Sequence, residues 1–180
     1  MVRADDAGLT VILVALLLGS CAKPVRAALI PEAYGSWPTT TNVRLDYPIP
    51  GHEDKFRVIH MNDVGFKFTR TGSKPDRLDF PVGTIIAKDI FTVSNPGPAD
   101  APMMVTAMVK APADPDARGG WLWVVKDLGT GKEDIMTGDF CVRCHSNANE
   151  PHPYSARNQN GDYCDYVFFV PGEDPVLPPY

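Results

Sequence analysis

The segment FCVRCHSN brings two cysteines and a histidine within five positions of each other. Cys141, Cys144 and His145 form a CxxCH pattern, which is typical of covalent haem attachment. In that chemistry the two thiols bond to the vinyl groups of a haem, and the adjacent histidine ligates its iron. The pattern therefore favours one c-type haem, with Cys141 and Cys144 as its anchors and His145 as the axial ligand.

Two other chemistries use the same residue types. A zinc site could add Cys164 with His152 or His145 to the cysteine pair, but that second half lacks the paired spacing of structural zinc sites. A redox dithiol would need a βαβ setting, which the strand-rich sequence does not supply. Cys164 precedes an apolar run, and we expect a buried, inert thiol there.

A sixth iron ligand would make the haem a simple electron carrier. The candidates are His52, His60 and the five methionines that follow Met1. His60 alternates with Phe56 and Val58 along a strand pattern, which favours a core histidine with a hydrogen-bonded ring. His52 lies in a polar turn, and the methionines are typical core residues.

The elements that position these residues are predicted to be mostly strands. β-branched and aromatic runs are bounded by Pro, Gly, Asn and Asp, with a spacing that favours an antiparallel sheet over βαβ units. Predicted strands cover residues 56–61, 65–71, 83–93, 103–111, 120–127 and 165–171. Short helices are expected near 31–37 and 139–147, and a polar surface loop over 148–163. The predicted fold class is mainly β, an antiparallel sheet with a few short helices around one haem.

The start of the chain reads as an export leader. An apolar run over residues 9–18 is too short to span a bilayer and is followed by small residues, as in a secretory signal peptide. The sequence LGSC resembles a lipobox, so Cys21 is a candidate for lipidation, with ordinary cleavage near Ala27 as the alternative. We therefore divide the chain into a leader (1–21), a haem-binding domain (30–171) and a tail (172–180), and expect a periplasmic lipoprotein.

Lys88 is unusual for its position in a strand. Alternation places it between Ile86 and Ile90 on one face of the segment GTIIAKDIF. A lysine there must extend its amine to solvent, lie at an edge or serve a site.

The formal net charge of −5 argues against a nucleic-acid partner.

Several segments in matching order resemble the cytochrome P-460 family, which includes the cytochromes c′-beta. They are FPVGTIIAKDIF, GWLWVVKD, the late CVRCH and the closing DYVFFVP, within a likeness that runs from about residue 30 to 171. The resemblance implies a β-rich homodimer whose single c-type haem is five-coordinate. In the hydroxylamine-oxidising members a lysine forms an extra covalent bond to the haem edge, and that lysine matches Lys88.

The resemblance also implies a distal carboxylate shortly before the haem motif in the enzymatic members. Glu133, Asp134 and Asp139 are the candidates here.

Two functions follow as expectations. One is oxidation of hydroxylamine or nitric oxide with electrons passed to an exported acceptor. The other is binding of nitric oxide or carbon monoxide without turnover, in a pocket capped by phenylalanines such as Phe56 or Phe91.

Overall fold

The fold is known from a computed structural model, which describes residues 26–41, 45–46, 55–93, 95–97, 99–149, 162–168 and 171–172. Within these residues the strands are β1 (Phe56–Met61), β2 (Thr69–Arg70), β3 (Leu78–Asp79), β4 (Ile85–Phe91), β5 (Met104–Lys110), β6 (Trp121–Lys126) and β7 (Glu133–Ile135). A five-stranded antiparallel sheet has the order β1-β4-β5-β6-β7, and β2 pairs with β3. The predicted mainly β, antiparallel fold is confirmed.

Helical structure is short, as predicted. The helix α1 spans Asp139–His145, and 3₁₀ turns cover Glu32–Ser36, Gly65–Lys67 and Ser146–Asn149. The turn at 32–36 and the helix at 139–145 lie in the two segments where helices were predicted. Among the described residues, no helix combines the length and apolar composition needed to cross a bilayer.

Each face of the large sheet packs against its own hydrophobic cluster. Because side chains alternate along a strand, neighbouring residues of one strand enter different clusters. The front cluster contains Leu45, Ile59, Met61, Leu78, Phe80, Ile86, Met108, Trp121, Trp123 and Val167. The back cluster contains Ile30, Tyr34, Ala87, Val105, Ala107, Val109, Leu122 and Val124. We call these two sides the front face and the back face of the sheet.

The amino-terminal part of the described chain covers the back face. Glu133 accepts hydrogen bonds from the backbone N–H groups of Leu29 and Ile30, at 2.6 and 3.0 Å. Tyr34 donates its hydroxyl to Asp89 of β4 at 2.7 Å. These contacts fix residues 29–34 against the back face of the sheet.

Of two predicted strands, the one over 65–71 is confirmed only at β2 (Thr69–Arg70), and the one over 165–171 is wrong over the residues that the structure describes. Residues 65–71 begin as a 3₁₀ turn because Gly65 packs closely: a Cβ there would lie 2.5 Å from the Met61 side chain and 2.8 Å from Thr84. The segment that starts at Asp165 turns instead of extending, with φ values of 47° at Asp165 and 67° at Tyr166. In both cases tertiary contacts override a local β propensity.

The remaining predictions concern residues outside the described part. They are the leader over 1–21, most of the loop over 148–163 and the tail after residue 172, together with His52 and His152.

Candidate functional site

The helix α1 gathers the three residues of the haem motif on one side. Cys141, Cys144 and His145 are spaced i, i+3 and i+4, so their side chains share a helix face. All three line a cavity of about 300 Å³ between α1 and the front face of the sheet. Apolar side chains from three strands form most of its wall: Ile86, Met104, Met108, Trp123 and Val125.

His145 is held in one orientation by three neighbours. Its Nδ1 lies 2.9 Å from the carbonyl oxygen of Tyr166. A carbonyl oxygen can only accept, so Nδ1 carries the proton and Nε2 keeps the lone pair that a metal needs. The imidazole also packs between Trp123 and Phe168, with ring centroids at 4.8 and 5.3 Å. The structure therefore presents the histidine as a preoriented nitrogen ligand.

Lys88 borders the same cavity as the two cysteines. Strand alternation puts its side chain on the front face with Ile86, as predicted. Burial and, to a smaller extent, the nearby positive charge of Arg57 lower the pKa of Lys88 to about 8. An ordinary lysine has a pKa near 10.4, so Lys88 reaches its neutral, nucleophilic form at a much lower pH.

The three described cysteines form no disulfide with one another and are partly buried. Burial raises the pKa of the Cys141 thiol, while the nearby ammonium group of Lys88 acts in the opposite direction. A raised pKa keeps this thiol protonated near neutral pH, which limits its nucleophilic reactivity. Cys164 is half-buried against the front cluster, which agrees with a packed thiol in that position.

Arg57 is a site residue that the sequence analysis missed. Its side chain is buried, lines the cavity, and donates from Nε to the carbonyl oxygen of Leu45 at 3.3 Å. The signal was present in the sequence, because alternation in FRVIHM places Arg57 with Ile59 and Met61 on one face. Two cations in an otherwise apolar cavity suit a flat hydrophobic ligand that carries carboxylates, as haem does with its propionates.

Comparison with known families shows the family to which the chain belongs. The family model for cytochrome P460 matches residues 31–169, which is most of the chain and includes the sheet, Lys88 and α1. The chain belongs to the cytochrome P460 family. No curated protein matches it. Membership implies a haem-binding cytochrome, and the cavity fits that group through its thiol pair, its oriented imidazole and its apolar wall.

The three candidate carboxylates of this cytochrome P460 lie elsewhere. Glu133 is on the back face, where it accepts hydrogen bonds from the backbone of residues 29 and 30. Asp134 is exposed and pairs with Lys132 at 2.7 Å. Asp139 is exposed at the start of α1. No carboxylate of the described residues is among those that line the cavity.

His60 is a core histidine, as its alternation with apolar residues predicted. Its Nδ1 donates to the carbonyl oxygen of Trp37 at 3.1 Å, and its Nε2 lies 3.4 Å from Asp89. These partners are on the back face, so the sheet separates His60 from the cavity. Among the methionines, Met61 is buried and Met103 is half-exposed, whereas Met104, Met108 and Met136 line the cavity.

The expected phenylalanine cap is wrong in its residues. Phe56 and Phe91 face each other across β1 and β4. Each lies an even number of residues from the pair His60 and Ala87, so their side chains are on the same back face. The aromatic side chains that line the cavity are Trp123, Phe140 and Phe168.

Among the described residues no cluster of three histidine, cysteine or acidic side chains could hold a metal ion, so zinc receives no support from that part of the chain.

Proposed function

We propose that this cytochrome P460 binds one haem covalently through Cys141 and Cys144, with His145 as the iron ligand, and oxidises hydroxylamine or nitric oxide. The observation that carries the proposal is the position of Lys88. Its amine borders the same cavity as both thiols, and burial lowers its pKa to about 8. A lysine with that environment can form the extra bond to the haem edge that the family resemblance implies.

The residues have distinct tasks in this proposal. Bound haem would supply an iron that binds the nitrogen compound and accepts its electrons. His145 would hold that iron, and the Tyr166 carbonyl fixes its protonated Nδ1. Lys88 supplies a neutral amine, because about half of a group with a pKa near 8 is deprotonated at that pH. Apolar side chains exclude water from the cavity.

Absorption spectra of the haem-loaded protein test the role of Lys88. We expect a strongly red-shifted reduced Soret band in the wild type and its loss in Lys88→Ala, together with loss of hydroxylamine oxidation. Lys126→Ala is the matched control, because Lys126 is also largely buried but bonds to the Ile30 carbonyl on the back face. It should keep the shifted band.

Other spectra would contradict the proposal. The same ordinary high-spin c-type spectrum in all three proteins would show that Lys88 forms no bond to haem. A low-spin six-coordinate spectrum would indicate a simple electron carrier, with Met104 or Met108 as the sixth ligand to test. If the protein takes up no haem in the presence of the haem-attachment machinery, zinc binding by the cysteines becomes the favoured hypothesis.

A second candidate is a non-catalytic binder of nitric oxide or carbon monoxide, like the cytochromes c′-beta. It is favoured by the cavity wall, in which no carboxylate of the described residues is found. Without a nearby proton acceptor, deprotonation of a bound nitrogen substrate loses general-base assistance. Tight binding of either gas with no consumption of hydroxylamine would establish this function instead.

We further infer export to the periplasm, lipidation at Cys21, a homodimer and an exported electron acceptor. Support comes from the apolar run and LGSC sequence at the chain start and from the family resemblance. Radiolabelled palmitate should enter the wild type and not Cys21→Ser. Light scattering of the detergent-solubilised protein should give twice the chain mass, and a monomer mass would refute the dimer.

A further inference from the structure

The carbonyl group that binds His145 comes from a strained piece of backbone. Asp165 and Tyr166 both have positive φ, 47° and 67°. Residues other than glycine rarely adopt this region, and they persist there only when surrounding contacts hold them. The conformation turns the Tyr166 carbonyl toward Nδ1 of His145, at 2.9 Å. Something in the fold must therefore stabilise these two residues.

The side chain of Asp165 meets that requirement. It is 1% exposed, and both of its oxygens lie 2.6 Å from the ammonium group of Lys110. The indole N–H of Trp121 donates to it at 3.2 Å, and the backbone N–H of Phe80 at 3.1 Å. A buried carboxylate that binds a cation and two N–H donors ties the turn to β5 and β6. Hydrogen bonds of this charge-assisted kind are the strong ones.

Tyr166 is confined from two further directions. Its backbone N–H donates to the side-chain oxygen of Asn149 at 3.1 Å. Its ring lies against Gly119, where a Cβ would come within 2.7 Å of the ring carbon Cζ. The backbone of Tyr166 is thus held by Asn149 and its ring by Gly119, while Asp165 anchors the preceding residue. This arrangement leaves its carbonyl little freedom to turn away from His145.

We propose that Asp165 is a positioning residue for the iron ligand. Through the Tyr166 carbonyl it fixes the hydrogen bond at Nδ1 of His145, and so sets the strength with which Nε2 donates to iron. An acceptor at Nδ1 raises the basicity of a ligating histidine, and loss of such outer partners commonly costs about 10- to 100-fold in metal affinity or activity. The inference rests on the proposed role of His145 and not on the identity of the substrate.

The test compares three variants of the haem-loaded protein. Asp165→Asn keeps size and tolerance of positive φ, but places an amide NH₂ among groups that are themselves donors. Asp165→Gly adopts positive φ most easily and removes the anchor. Asp89→Asn is the control, because Asp89 is a buried carboxylate with two partners on the back face.

Two measurements report on the iron ligand independently of turnover. We expect the Fe–histidine stretching band of the reduced protein to move to lower frequency, and the reduction potential to rise, in both Asp165 variants. Both changes follow from a weaker nitrogen donor. Asp89→Asn should leave both values unchanged. Lys110→Gln keeps a donor toward Asp165 without the charge, and we expect a smaller shift in the same directions.

The outcomes separate this inference from the proposed function. Folded Asp165 variants with unchanged band and potential would overturn it, as would an equal shift in Asp89→Asn. If Asp165→Asn does not fold, Lys110→Gln carries the same decision through its potential. A wild type that fails to oxidise hydroxylamine would refute the proposed function, yet the band and the potential would still report on Asp165.

Discussion

Removing the hydroxyl of Tyr34 tests whether the two faces of the sheet are independent. The hydroxyl donates to the buried carboxylate of Asp89 at 2.7 Å, and burial and Asp89 together raise the pKa of Tyr34. Tyr34→Phe keeps the ring contacts with Trp37 and His60, whose centroids lie at 6.5 and 6.1 Å. Only the hydrogen bond is lost, and Asp89 retains His60 as a partner.

The expected cost can be worked from that single bond. A hydrogen bond to a charged group contributes roughly 1.5–3 kcal/mol, so we expect the free energy of unfolding to fall by about 2 kcal/mol. For a protein of this size that corresponds to a drop of about 4–8 °C in the thermal midpoint. Circular dichroism during heating measures the midpoint, and absorption spectra of the same samples report on the haem.

The control lies in the same 3₁₀ turn. Ser36 donates to the Ala33 carbonyl at 2.7 Å, but this bond is exposed, so Ser36→Ala should leave the midpoint unchanged. Because Tyr34 contacts only the back face, its variant should also keep the wild-type haem spectrum. An unchanged midpoint in Tyr34→Phe would refute the energetic reasoning. An altered spectrum would refute the separation of the two faces.

Two further predictions concern the back face. The hydrogen bond to Asp89 raises the pKa of His60 in the folded protein. The pairing should therefore stabilise the fold fully below the unfolded histidine pKa of about 6.5. This stabilisation should be lost as the pH rises through the pKa of His60 in the folded protein. Urea unfolding across that range should show this slope in the difference between the wild type and His60→Gln, and no pH-dependent difference would refute it. Glu133→Gln weakens the bonds to Leu29 and Ile30 and should cost about 1 kcal/mol in urea unfolding. The rate of hydroxylamine oxidation should stay unchanged, because Glu133 lies on the back face of the sheet. A fall of about 100-fold or more would show that Glu133 acts as a proton acceptor.

Short-range patterns in the sequence predicted the centre of the site. The CxxCH spacing placed three side chains on one helix face, and strand alternation put Lys88 on the face that borders the cavity. The same alternation already separated Phe91 from Lys88, so a cap by Phe91 could have been rejected from the sequence. Arg57 could have been found in the same way.

Contacts between distant parts of the chain were beyond the sequence. Glu133 binds backbone groups more than 100 residues earlier, and no local pattern indicates that a carboxylate will cap an incoming segment. Asp165 lies in a run of strand-forming residues, but Lys110 and Trp121 hold it in a turn. Propensity describes neighbours along the chain, whereas these residues respond to neighbours in space.

The order of the elements along the chain has a consequence for how the site is assembled during synthesis. β4, β5, β6 and β7 pair with their successive neighbours, so most of the sheet forms from local hairpins. Every strand of the described residues precedes Cys141, and the Tyr166 carbonyl follows His145 by 21 residues. As the chain emerges from its amino end, the sheet surface is therefore formed before Cys141 and Cys144 appear, and the carbonyl that orients His145 follows them.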